Sequence, residues 1–228
     1  GSPSVHSGAF SGNLVPTVNF LAGTAGALAA TDPASKLIYV RGPAPMLASG
    51  SGSLADGTVV NWGIYGTGSA VNGQSIKDQY SSGAGRKPDY LQVMGTLEAP
   101  AAVLSTLSGT YSTMVASTPI IAESGAPGGS VTSANIVLAS GALTQYQIGV
   151  TDGLARTWVA SCSSCASPVP LATFKASGIA LSGSGPTGGA ASGQANGAAV
   201  GPTGQGVISS FALNEATAMV TGSFAVQK

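Results

Sequence analysis

Short runs in which apolar and polar residues alternate recur from Gly57 to the last residues of the chain, set apart by clusters of glycine, proline, serine and aspartate. Alternation with a period of two is the signature of a strand with one buried face, and bounding turn residues mark its ends. The pattern predicts strands over 58–65, 90–95, 109–117, 130–139, 143–150, 155–161, 171–181, 190–199, 206–213 and 216–226. Asp152-Gly153 sits between two of these runs and predicts a tight hairpin, since this pair accepts the positive φ angles of a primed turn. A second hairpin is expected where Leu213 to Ala216 joins the last two strands. By alternation, Tyr146, Ile148, Trp158, Phe174, Ile208, Phe211, Val220 and Phe224 point inward. Many short strands at near-even spacing define an all-β chain, an antiparallel up-and-down barrel of about eight strands.

The pattern is less regular before Gly57. Residues 1–12 carry no periodic signal. Val15 to Ala22 reads as an extended segment with Pro16 at a strand start or edge. Ala25 to Ala34 is rich in alanine and is read as holding one helical turn ended by Asp32-Pro33. Lys36 to Arg41 reads as a strand, and Ser49 to Ser53 as a glycine-serine linker. This divides the chain into an extended N-terminal segment, 1–56, and a barrel domain, 57–228. Within the barrel, the small-residue stretch between Leu181 and Gly206 is read as a loop followed by a strand.

Charge changes the picture most. Only 7% of residues are charged, eight basic against eight acidic, with 43% hydrophobic residues and 34 glycines. Ordinary domains carry roughly 25% charged residues. A nucleic-acid binder needs clustered cations to replace phosphate counterions. Here only Arg86 and Lys87 adjoin, so nucleic acid is not an expected partner. A neutral chain lacks the repulsion that keeps copies apart, and self-association or a protein partner is expected instead. No apolar run reaches the length of a transmembrane helix. The opening Gly1-Ser2 is either a tag remnant or a processed native end, and the sequence leaves both open.

Cys162 and Cys165 form a C-x-x-C, which serves as half a zinc site, a redox pair or a short disulfide. Zinc needs further Cys or His ligands, and the only histidine is His6. A thioredoxin-like motif opens a helix, whereas Pro168 and Pro170 follow here. The pair is therefore read as a structural disulfide of an oxidising compartment.

Catalytic chemistry finds little support. Triads and most acid–base catalysts need a placed histidine, and His6 lies in a glycine-serine tail. Of the carboxylates, Asp56 and Asp152 precede glycines and read as turn formers, while Asp78 and Asp89 lie in the one charged stretch. The glycine run at 183–189 lacks the lysine of a phosphate loop, and no alternating acidic calcium loop is present. No enzyme activity, cofactor or metal is expected.

Glycine-punctuated strands such as Gly109 to Tyr111, the Val200 to Gly206 turn and the closing Val220 to Ala225 resemble the eight-stranded barrel of transferrin-binding-protein-like surface proteins. They are also similar to C-terminal regions of large bacterial proteins with a FecR-type iron-sensor domain upstream, in which a strand like Asn61-Trp62-Gly63 opens the barrel. The resemblance implies an extracytoplasmic barrel at the surface of, or secreted from, a Gram-negative bacterium. It carries over no ligand residue. Two functions follow as expectations. The first is a structural or adhesive surface protein that assembles into filaments by strand addition. Its assembly segment is Asn13, Leu14, Val15, Val18, Phe20 and Leu21. The second is a monomeric binding module for a host protein, haem or a hydrophobic ligand, with haem held by Tyr or Met.

Overall fold

The computed structural model describes residues 21–22, 28–32, 37–40, 46–65, 70–71, 74–75, 91–123 and 127–228. In chain order the first strands are β1 (Leu21–Ala22), β2 (Leu28–Asp32), β3 (Leu37–Val40), β4 (Met46–Ser53), β5 (Val59–Tyr65), β6 (Ala70–Val71), β7 (Gln74–Ser75) and β8 (Leu91–Gly95). The helix α1 (Ala101–Leu104) precedes β9 (Gly109–Tyr111), β10 (Thr113–Ser117), β11 (Ile120–Ala122), β12 (Pro127–Ala139), β13 (Ala142–Asp152), β14 (Thr157–Cys162) and β15 (Val169–Pro170). The helix α2 (Leu171–Ala176) then leads to β16 (Ile179–Ser184), β17 (Ala190–Val200), β18 (Gly206–Glu215) and β19 (Ala218–Gln227).

Eight strands close into a ring. Antiparallel ladders join β11 to β12, β12 to β13, β13 to β14, β14 to β16, β16 to β17, β17 to β18 and β18 to β19, and β19 returns to β11. β9 and β10 extend the β11 position, pairing with β12 and β19 respectively. Each neighbour in space is the neighbour in sequence, which is the up-and-down barrel that the alternation predicts.

The interior is filled by side chains. Tyr111, Tyr146, Trp158, Phe211 and Phe224 are each at most 1% exposed and share one cluster with Ile148 and Val220. Tyr146 meets Phe174 edge-on at 6.0 Å between ring centres, and its hydroxyl lies 2.9 Å from that of Ser209. Tyr111 donates to the carbonyl of Gly204 at 2.8 Å. Both buried tyrosine hydroxyls therefore have partners, as burial of a phenol requires.

Four local expectations are corrected. The stretch 171–181 is not one strand: after Pro170 it forms α2, which turns Leu171 and Phe174, three apart on one helix face, into the barrel. Gly178, at φ 74°, ends this helix by donating to Thr173, and β16 begins at the next residue. The alanine-rich stretch gives β2 rather than a helical turn, because Ala29 has ladder partners on both sides, Leu21 and Val40. Pairing here overrides the helical preference of alanine. The glycine-serine run 49–53 belongs to strand β4. Its glycines permit close approach: a Cβ on Gly50 would lie 2.5 Å from the Trp62 ring, and one on Gly52 would lie 2.2 Å from the Val115 carbonyl.

The fourth correction concerns Ile208. It is fully buried, yet on the outer wall, in a cluster with Leu54, Val60, Met94, Ala116, Val200 and Ala225. The three-stranded sheet β4-β5-β8 supplies Leu54, Val60 and Met94 from its own strands and turn, and lies over β10, β18 and β19. β18 and β19 are consequently buried on both faces, and alternation alone does not tell an inward residue from a covered outward one. β4 and β5 form a hairpin across positions 56 and 57, with Asp56 accepting from the Thr58 amide at 2.9 Å. The strands β1, β2, β3, β6 and β7 make a further small sheet.

Candidate assembly surface and barrel ends

Charged groups on the barrel gather at its two ends. At one end, Asp152 closes the β13–β14 turn. Its Oδ1 accepts the amides of Leu154 and Arg156 at 2.9 and 3.0 Å, and its Oδ2 accepts Arg156 Nε at 2.8 Å and the Trp158 indole at 3.2 Å. The positive φ of this turn falls on Ala155, at 58°, and not on the Asp-Gly pair, so the loop is a three-residue turn and not the expected two-residue primed one. Arg156 reaches onward to Glu123, whose Oε2 also accepts the Met219 amide at 3.0 Å. Hydrogen bonding from Arg156 holds the Glu123 carboxyl down at about 2.

Beside it, Glu215 accepts the amide and hydroxyl of Thr187, and these bonds lower its pKa. Gly185 and Gly189 make room: a Cβ on either would meet a Glu215 carboxylate oxygen within 2.4 Å. At the opposite end Lys175 pairs with Glu98 at 2.7 Å, and Lys228 lies 5.3 Å from the centre of the Tyr111 ring. Every one of these carboxylates is engaged in holding a turn or an end. Asp56 and Asp152 act as the turn formers that their glycine neighbours predict.

Between the ends the wall is uncharged. One row of outward residues crosses six strands in register: Asn135, Gln147, Ser161, Ser182, Ser192 and Asn214. This row is polar, unlike the apolar outer band of a membrane-spanning barrel. Two shallow concavities lie along the row. One of about 450 Å³ is lined by Gln194, Asn196 and Asn214, and one of about 360 Å³ by Asn135 and Gln147. No group of three or more metal-ligating side chains occurs among the described residues, and no helix among them is long and apolar enough to cross a membrane.

Cys162 and Cys165 are joined in a disulfide with their Cα atoms 5.6 Å apart, as the spacing suggests. It ties the end of β14 to the turn that leads to β15 and α2. Of the predicted assembly segment, Leu21 lies in β1, opposite Ala29. Asn13, Leu14, Val15, Val18 and Phe20 lie outside the described residues, as do His6, Asp78 and Asp89. Two features escape the pattern reading: the Arg156–Glu123 grip and the sheet on the outer wall. A signal for the first exists, since Arg156 is the only arginine after position 86 and stands four residues from Asp152.

No family model, no curated protein and no solved structure matches this chain.

Proposed function

We propose that this protein is a non-enzymatic, extracytoplasmic structural or adhesive protein of a bacterial surface, which assembles into filaments by strand addition. The observation that carries the reading is the packed barrel. Tyr111, Tyr146, Trp158, Phe174, Phe211 and Phe224 occupy the interior, so the barrel serves as a rigid body and not as a container. The uncharged wall supports the same reading, because copies meeting across it bring few like charges together. The disulfide supports an oxidising compartment, and the transferrin-binding-protein-like resemblance agrees with a cell-surface location.

Electron microscopy of native material, with light scattering over a range of concentrations, tests the reading. Ordered filaments are expected, and deletion of residues 1–24 is expected to abolish them. A monomer at every concentration, or filaments that survive the deletion, removes it.

The concavity at Gln194, Asn196 and Asn214 favours a second reading, a monomeric binding module with its site on the outer wall. Calorimetric titration of a monomeric preparation with candidate ligands separates the two. A haem titration without a change in the Soret band removes haem from that list.

A further inference from the structure

A closed barrel has no free strand edge, so edges in this molecule must be sought outside the ring. The sheet β4-β5-β8 is open, and β4 forms one of its edges. β4 pairs with β5 from Met46 to Ser53, and no strand pairs with its other side among the described residues. Exposed edges are commonly guarded by charge, proline, shortness or bulges. β4 is eight residues long and contains neither charge nor proline. Its one register shift falls between Met46 and Ala48, which leaves Ala48 to Ser53 regular.

The surface beside this edge is prepared for side chains as well as backbone. Gly52 sits directly against the Val115 carbonyl, and Gly50 lies under the Trp62 ring. Val115 and Trp62 are only partly buried and pack against the covered outer-wall cluster. A strand laid along β4 would set alternate side chains over this apolar ledge and the others beside the exposed Ser49, Ser51 and Ser53.

We propose that the outer edge of β4, unpaired among the described residues, is the acceptor for residues 13–20 of a second copy. The proposal rests on the filament reading above and names its joint. Three properties of the segment fit the edge. It carries no charge, matching an uncharged acceptor. Its eight residues match the eight of β4 in length. Leu14, Val18 and Phe20 fall on one side of an extended chain, with Asn13, Val15, Thr17 and Asn19 on the other, so the more apolar side faces the ledge. Pro16 costs one ladder bond, which an added edge strand tolerates. Main-chain bonds then supply affinity, and the alternate side chains select the partner.

Hydrogen exchange read by mass spectrometry tests this on the full chain, comparing sedimented filaments with the monomer left in the supernatant. Amides of 46–53 are expected to slow in the filaments, while those of β13 stay unchanged. Filaments in which 46–53 exchange as fast as in the monomer overturn the β4 joint and leave the filament reading standing. Protection of 46–53 in both states means that the edge is occupied within one copy, and it also overturns the joint. Complete absence of filaments removes the reading itself. A second variant, S51K, places a charge on the edge and is expected to raise the critical concentration about tenfold, since edge lysines oppose strand addition. An unchanged critical concentration with native near-ultraviolet dichroism overturns the proposal.

Discussion

Arg156 grips Glu123 with both guanidinium NH2 groups, at 2.6 and 2.8 Å, and so joins the β13–β14 turn to the end of β11 across one mouth of the barrel. The same arginine is held from behind by Asp152, whose side chain is fully buried. Removing the arginine leaves that carboxylate with its amide and indole partners but no countercharge. R156L is therefore expected to destabilise the fold by about 2 kcal/mol, the range for breaking a partly buried charged network. Urea unfolding checks this. A change below a few tenths of a kcal/mol would mean that solvent already screens the pair.

Acid should act on the same corner. The Glu123 carboxyl is held at about 2 against an ordinary 4.5, first by its bonds to Arg156. A carboxyl depressed on folding contributes stability that is complete above its unfolded pKa and disappears as pH falls through the folded one. The contribution should thus be flat above pH 5 and decline between about 4.5 and 2. In E123Q this part of the acid limb is expected to be missing, as read by thermal melts at successive pH values.

At the alkaline side the tyrosines set the response. Burial pushes the Tyr111 hydroxyl up to about 12 and raises Tyr146 as well. The unfolded chain releases these protons near 10, so stability should fall as pH rises from there towards 12. Ultraviolet titration should show both phenols ionising only with unfolding, and Y146F should lose part of that alkaline sensitivity.

The plug at the other mouth gives a packing test. Phe174 is fully buried, and Gly197 faces it so closely that a Cβ would lie 2.7 Å from its ring. F174A is expected to cost about 3–5 kcal/mol by opening a cavity, and G197A about 1–3 kcal/mol by overpacking the same place. Denaturant midpoints compare the two. Near-neutral results for both would mean that α2 does not seat in the barrel.

The disulfide is expected to matter less. Its loop is so short that the chain-entropy argument allows about 2 kcal/mol at most. Replacing Cys162 and Cys165 by serine should lower the melting temperature slightly and leave the barrel's far-ultraviolet spectrum unchanged.

Much of this architecture was legible because strand alternation and turn chemistry are local. Tyr146, Trp158, Phe211 and Phe224 betray their inward direction through their neighbours two residues away. Ile208 does not, since its partners Leu54, Val60 and Met94 are more than a hundred residues distant and cover it from outside. The same long range hides β4. Gly50 and Gly52 look like a linker until Trp62 and Val115 are seen to need the space that a side chain would take. Phe174 misleads for a different reason: residues that suit a strand also suit one turn of helix, and only Pro170 and Gly178 mark that turn's limits. The corner of Arg156 and Glu123 joins residues 33 apart, and no spacing rule reaches that far.

Gly109 opens the barrel and Lys228 closes it, and the two meet: a Cβ on Gly109 would lie 3.4 Å from the lysine side chain. The barrel is therefore circular along its sequence as well as around its axis. A circular permutant that joins these two points, starts at the Ser140-Gly141 turn and omits residues 1–108 keeps every ladder of the ring, and it uncovers the outer faces of β18 and β19. The strand order is a property of neighbouring hairpins, and no single position is needed as the place where the chain must begin.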